Sequence, residues 1–337
     1  MKAAQQTQTH QPIEISDIEN PKPAAGEVIV NLKAAALNHR DVFVQEGKYP
    51  GMSLPVVLGS DGAGVVTELG AGVDEAFLGT EVIINPALNW GVNPAFYGKD
   101  FKILGMPDNG TFSEFIKIAA KNIYPKPAHL SFEAAAALPL AGLTGWRALM
   151  SRAGLKNGER VLVTGIGGGV ALFVLQFAVA AGAEVWVTSG SDEKIQQAVA
   201  LGARGGVNYR QPDWLKTLME TTGGGRAGYF DVIIDSAGGP SFAKLIDAAA
   251  IGGRICFFGG TAGNITDIMP SKVFFKQLTI LGSTMGSDAE FADMVAFVNL
   301  HRIQPVVDSV LPLDDAQIAL NRMNEGQQFG KIILKIG

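Results

Sequence analysis

Cysteine is almost absent from the sequence. Cys256 is the only one in 337 residues, so no disulfide can form within the chain, and the composition suits a reducing compartment such as the cytoplasm. It sits in the apolar run Ile255–Phe258 and reads as a small core residue. Charge is sparse as well. Acidic and basic residues together make 18% of the chain, with a formal net charge of −5. There is no basic patch or run, so no nucleic-acid partner is expected. The N-terminal MKAAQQTQTHQP lacks the apolar centre of a secretory signal. Internal repeats and low-complexity tracts are missing. The four histidines, His10, His39, His129 and His301, are scattered and make no metal-ligand spacing.

Apolar residues and glycine are plentiful: 47% hydrophobic, with 42 glycines. That supports large cores and many tight turns, at a length suited to two domains. The stretch Gly165 to Ala183 carries no charge and approaches a membrane span in length. It opens on a glycine turn, carries Gln176 in its middle and is flanked by strand-like segments. It therefore reads as a buried helix of an α/β core, and no membrane partner is expected.

That run belongs to the most informative stretch of the chain. Val161–Val163 is a short apolar strand. A glycine cluster follows, Gly165, Gly167, Gly168 and Gly169, and a helix runs from Val170 to Ala181. Gly182 stands where a left-handed cap is wanted, and Glu184–Thr188 returns to strand. Strand, glycine turn, helix and strand in ~30 residues make a dinucleotide-binding βαβ unit. Glycine serves the tight turn, the close approach of backbone to a pyrophosphate, and helix-on-strand packing. The helix N-terminus offers unpaired N–H groups to phosphate.

Residues 1 to about 125 read as mostly β, with strands at Glu27–Lys33, Val56–Glu68 (a pair), Glu81–Asn85 and Thr111–Ile118. Among them lies a long polar and aromatic loop, Asn89 to Asn109. Pro125-Lys-Pro127 looks like the domain crossing. From there βαβα alternation predicts a doubly wound parallel sheet, with Lys276–Thr284 as its last strand. A closing strand, Lys331–Ile336, is expected to return to the first domain. The division is thus 1–125 with 286–337, and 126–285.

Taken in order, Leu37-Asn38-His39-Arg40-Asp41, Gly59-Ser60-Asp61-Gly62-Ala63-Gly64-Val65, Ala141-Gly142-Leu143-Thr144, the glycine turn, Gly252-Gly253-Arg254 and Gly330-Lys331-Ile332-Ile333-Leu334 resemble the medium-chain dehydrogenase/reductase superfamily over nearly the whole chain. The resemblance implies a GroES-like β domain plus a Rossmann domain, with the active cleft between them. Zinc-dependent members carry cysteine where this chain has Asn38, histidine where it has Ser60 and cysteine where it has Leu140. Zinc needs thiolate, imidazole or carboxylate ligands, and the 89–109 loop lacks the four cysteines of a structural zinc lobe. The chain therefore resembles the zinc-free, quinone oxidoreductase-like branch, with no metal expected.

An NADPH-dependent reductase of quinones or α,β-unsaturated carbonyls is the first expectation. A catalytically silent NADPH-binding sensor or structural protein shares the same cofactor landmarks. A zinc-type alcohol dehydrogenase is disfavoured by the missing ligands. NADPH is preferred over NADH because Ser189 stands at the end of the second strand, where an NAD site places an acid. Lys194 can reach a 2′-phosphate, and Tyr209 matches a residue that packs there. Val170, Phe258, Gly259 and Gly260 complete the expected cofactor surface, with Thr144 beside the nicotinamide and Lys331 on the pyrophosphate by resemblance. The substrate-side candidates are Asn38, as an amide donor, and Tyr49, as a phenol donor or apolar wall. Asp41 is carried as a candidate carboxylate, although Arg40 and Asp41 also read as a pair that holds their loop. His39 either lines the cleft or simply packs. A flat apolar edge strand is a hazard unless paired, so Lys276–Thr284 predicts a homodimer.

Overall fold

In the computed structural model, which describes residues 1–337, β1 (Lys2–Gln6) and β2 (Glu14–Asp17) form an antiparallel hairpin. The long β3 (Glu27–Ala36) follows, then the short helix α1 (His39–Gln45). The stretch from Val56, expected as a strand pair, divides between two sheets. β4 (Val56–Val57) joins β1, whereas β5 (Asp61–Leu69) joins β3. Gly64 permits the second pairing, because a Cβ there would collide with the Asn31 carbonyl on β3. β6 (Glu81–Ile84), β7 (Ala87–Leu88), β8 (Lys102–Ile103), β9 (Phe115–Ala119) and β10 (Ile123–Pro125) complete this run. β7 and β8 pair at the base of the 89–109 loop. Inside it Trp90, Tyr97 and Phe101 stack with centroids 4.8–5.9 Å apart.

The crossing does not fall at Pro125-Lys-Pro127. The chain divides within a helix instead, into Met1–Leu143 with Gly286–Gly337, and Thr144–Met285. α2 (Phe132–Ala136) packs on β3 and β5, and the Leu140 amide at the start of α3 (Pro139–Trp146) donates to buried Asp61. These contacts keep the chain on the β unit well past the prolines.

The second unit alternates without interruption: β11 (Arg160–Val163), α4 (Gly169–Ala180), β12 (Glu184–Ser189), α5 (Asp192–Ala200), β13 (Gly205–Asn208), α6 (Trp214–Thr222), β14 (Phe230–Asp235), α7 (Phe242–Ala248), β15 (Ala249–Phe257), α8 (Pro270–Phe275) and β16 (Thr279–Gly282). Its six parallel strands run β13-β12-β11-β14-β15-β16. That is the doubly wound order whose switch point, here between β11 and β14, makes a ligand crevice at the strand C-termini. Leu162, Trp186, Phe230, Ile233 and Ile255 form its core. Gly182 follows α4 at φ +81°, a left-handed cap. Cys256 is fully buried, which pushes its thiol up to about 12. β16 is the edge strand. Ile251 on β15, and Phe274 and Phe275 on α8, are exposed.

α9 (Asp288–His301), β17 (Val307–Pro312), α10 (Ala316–Asn324) and β18 (Lys331–Lys335) complete the β unit. β18 pairs antiparallel with β3, as expected. The main sheet runs β10-β6-β5-β3-β18-β17, with β9 also on β3. No helix is long and apolar enough to cross a membrane.

Candidate active site

The start of α1 gathers a buried polar knot. Asn38, at the helix N-cap, is extended, and Asp41 in the first turn accepts the Asn38 backbone N–H at 2.8 Å. The carboxylate thereby takes one of the orphan donors of the helix start. Asp41 is fully buried and its second oxygen has no partner. Burial pushes its carboxyl up to about 6, against the pull of Arg40, the Asn38 N–H and Lys331. Arg40 and Asp41 do not hold each other by hydrogen bonds. Arg40 Nη1 donates to Ser60 Oγ at 2.6 Å and to the Leu104 carbonyl at 2.7 Å, and Nε donates to the Tyr49 hydroxyl at 3.2 Å. The guanidinium also lies 4.6 Å from the Tyr49 ring centroid, a cation–π contact.

β18 brings Lys331 into the same knot. Its ammonium donates to the Leu37 carbonyl (2.6 Å), Asn38 Oδ1 (2.7 Å) and Asp61 Oδ2 (3.0 Å). An ammonium has three donors, so none is left for a pyrophosphate. The expected cofactor contact is replaced by an internal ion pair with a carboxylate that is itself fully buried. Asp61 also accepts from Asn38 Nδ2 at 2.9 Å and from the Leu140 amide at 2.7 Å. Asn38 keeps one amide hydrogen beyond that bond. His39 packs edge-on against Phe43 at 4.7 Å, and burial lowers its pKa.

The three positions where a zinc enzyme would hold its metal are thus filled otherwise. Asn38 bridges Lys331 and Asp61, Ser60 bridges Arg40 and Leu104, and Leu140 offers only its backbone. No group of three or more His, Cys, Asp or Glu is positioned to hold a metal ion.

In the sheet unit the expected cofactor residues gather at the C-terminal ends of the strands. Gly165 and Gly167 have φ of +64° and +127°, which L side chains rarely adopt. Gly168 caps α4, is exposed, and has open space where a Cβ would stand. Gly169 and Val170 begin the helix behind it. This cradle fits a dinucleotide pyrophosphate, with helix N–H groups turned to it. A Cβ on Gly165 would meet Ser236 Oγ at 2.9 Å, so the turn also leans on the end of β14. Gly259 packs as closely on the Ser236 backbone, which keeps Phe258-Gly259-Gly260 beside that crevice. Asp235 is buried below it, held by Thr164 Oγ1 and the Gly238 amide.

The ribose end carries cations. Lys194 lies across Gly167, where a Cβ would come within 2.9 Å of its Cδ. Ser189 is buried at the end of β12, its hydroxyl accepting from Ser191 N and donating to the Ile166 carbonyl. Tyr209 and Arg210 overhang Gly190, with Tyr209 OH and Arg210 Nε each about 3 Å from where a Cβ would be. Asp192 is turned to Asn208, which donates to it at 3.0 Å. Thr144 opens this unit and lies beside Met285 Sδ at 3.9 Å.

Sequence reasoning singled out neither Arg210 nor the Asp61–Lys331 pair. Asp61 lies within the glycine-rich run Gly59–Val65, but its partner is 270 positions away. Arg40 reads from sequence only as a partner for Asp41.

Two family descriptions match the chain: an alcohol dehydrogenase GroES-like domain over residues 24–128, and a zinc-binding dehydrogenase over residues 169–299. The zinc-type alcohol dehydrogenase-like protein YogA of Leptosphaeria maculans is 38% identical, covering 99% of this chain and 98% of its own. Quinone oxidoreductase 1 of Escherichia coli is 32% identical over 73% of this chain and 68% of its own. The solved structure of an NAD-dependent alcohol dehydrogenase superposes with a TM-score of 0.94 at 40% identity, covering 100% of both chains.

Proposed function

The chain belongs to the medium-chain dehydrogenase/reductase superfamily of oxidoreductases, and from that premise we propose that it is a zinc-independent, NADPH-dependent reductase of quinones or α,β-unsaturated carbonyl compounds. One observation carries the zinc-independence. Where a metal would need thiolate or imidazole, this chain has an amide tied to an ammonium–carboxylate pair. A metal binding the Asn38 side-chain oxygen would have to take it from Lys331.

Without a metal, a carbonyl must be polarised by hydrogen bonds, which favours conjugated acceptors, whose product anion is delocalised. A bound dihydronicotinamide supplies the hydride. Gly165, Gly167, Gly168, Gly169 and Val170 would hold its pyrophosphate, and Phe258, Gly259, Gly260 and Thr144 would lie along its nicotinamide half. Tyr49 and the remaining Asn38 amide hydrogen would meet the substrate. Asp41 acts by capping α1, since its buried carboxylate faces the helix start. The preference for NADPH rests on Lys194, Tyr209 and Arg210, which present two cations and a phenol to a 2′-phosphate, and on Ser189, which leaves the end of β12 without an acid. The similar solved structure is named for NAD, and that name describes a different chain. We also assign the protein to the cytoplasm, on its single buried cysteine, and expect a homodimer through β16.

Steady-state oxidation of NADPH and NADH with a panel of quinones and enones tests the reading. Turnover with NADPH favoured, undiminished by a chelator, is expected. Tight NADPH binding with no turnover on any acceptor would favour a silent sensor. Stoichiometric zinc with activity lost to a chelator would return the protein to the alcohol dehydrogenases.

A further inference from the structure

We propose that Arg40 receives the substrate oxygen as it becomes anionic; the proposal rests on the reductase reading above. Arg40 is 8% exposed. A guanidinium carries five N–H donors in a fixed fork. Nη1 is engaged by Ser60 and Leu104, and Nε by Tyr49. Nη2 is buried and meets no acceptor. Its two hydrogens are left without protein partners in a position closed to water. A buried charged donor in that condition is rare and calls for an explanation.

The nearby carboxylates do not supply a partner. Asp61 is bound to Lys331, Asn38 and Leu140. Asp41 turns one oxygen to the Asn38 amide, and its other oxygen has no partner. Lys331 cannot take the same role, because its three hydrogens are engaged. Arg40 is thus the cation of the knot with no carboxylate hydrogen-bonded to it. Its anchors, a hydroxyl, a carbonyl and a phenol, fix its direction without neutralising it.

Such an arrangement suits a planar oxygen that acquires charge during reaction. At an enone the β-carbon gains a C–H bond from the hydride and the conjugated electron pair moves to oxygen, leaving an enolate. At a quinone one carbonyl oxygen gains the hydrogen as O–H and the pair moves through the ring to the other oxygen, leaving a hydroquinone monoanion. One proton from solvent or the Tyr49 phenol then completes the two-electron reduction. Arg40 holds the charge in between. It also prepares Tyr49: the phenol oxygen accepts from Nε, which leaves the phenol hydrogen for the substrate. Tyr49 lies between Gly47 and Gly51, both at positive φ, on a loop tip rather than a helix, so the ring over the guanidinium sits on the part of the knot best able to yield to a ligand.

The test uses the NADPH-loaded protein and two probes of similar shape, 4-nitrophenolate and nitrobenzene. Wild type should bind the phenolate competitively with the acceptor substrate, and nitrobenzene more weakly. Arg40→Gln should lower kcat by about a hundredfold and weaken phenolate binding by about tenfold or more. Nitrobenzene binding and NADPH affinity should stay within about twofold. Unchanged phenolate affinity in Arg40→Gln would overturn the assignment. So would equal losses for both probes and the cofactor, which mark a merely structural role. Should Arg40→Gln not fold, Arg40→Lys decides, since it keeps the charge and loses the fork: a partial loss confined to the phenolate supports the assignment, and no loss refutes it. Phenolate binding is read by calorimetry without turnover. A wild type that reduces no quinone or enone would therefore sink the reductase reading while Arg40 is still judged by its probes.

Discussion

Removing the Lys331 ammonium would strand the Asp61 carboxylate where no water reaches it. Breaking a buried pair from one side costs ~3–5 kcal/mol, so Lys331→Met should lower the thermal midpoint sharply. Its NADPH affinity, measured by calorimetry below that midpoint, should stay near wild type, because the ammonium's hydrogens all point inward. Tenfold weaker NADPH binding would restore Lys331 to the pyrophosphate. Asp41 gives a second test, in pH. Its carboxyl is raised from 3.8 to about 6 by burial, so the native state holds the proton more tightly than the unfolded chain. The stability from that proton is complete below about pH 4 and is lost as pH rises through about 6. Asp41→Asn should therefore gain on wild type between pH 4 and 7, by up to ~3 kcal/mol for a two-unit shift. Melting curves whose spacing does not change with pH would contradict this. That the burial of Asp41 and Lys331 is not legible in the sequence has one cause. The first reads as catalytic and the second as a cofactor ligand until burial and distant partners are known, and neither is written locally.

The turn from β11 to α4 was legible because backbone geometry selects the residue. Positive φ at Gly165 and Gly167 disfavours side chains for reasons confined to those two positions, and Gly168 beside them leaves open space at the helix start. α5 begins at Asp192, since Ser191 caps it by accepting the Lys194 N–H. The cap sets Lys194 in the first turn, from which its side chain crosses the glycines. Lys194→Ala should raise the Kd for NADPH by about tenfold and leave that for NADH within twofold, the difference expected of one charge-assisted contact. Equal effects on both cofactors would mean that the lysine serves the pyrophosphate instead. Short elements were the ones missed: β1, β2, β13, β17 and α1 take their form from neighbours in the sheets rather than from a pattern of their own. The 125/126 boundary failed similarly, because proline marks a bend but tertiary contacts at Leu140 decide where a domain ends.

For the whole molecule, the open side of β16 and the exposed Phe274, Phe275 and Ile251 leave unpaired backbone and apolar surface together. An isologous pairing of this edge would cover both. Light scattering should give twice the 35.4 kDa of one chain at micromolar concentration, and Phe275→Asp should shift it toward the single mass with turnover per chain retained. A wild type that scatters as one chain would remove the pairing. The fold class and the order of landmarks were readable because they are repeated along the chain in strand, turn and helix. Which polar groups share a buried knot was not, because that depends on pairs brought together only by folding.

The burial of Cys256 has a consequence for survival during turnover. Quinones and enones are electrophiles that alkylate thiolates by conjugate addition, and under the function proposed above the chain would meet them at every cycle. Its one sulfhydryl is sealed in the sheet and held protonated far above working pH, so the nucleophilic thiolate is scarce and unreachable. The protein should keep its full activity through prolonged exposure to N-ethylmaleimide or to excess acceptor, with no mass adduct on the folded chain. Rapid inactivation with one adduct per chain would show that the sheet opens enough to expose the sulfur.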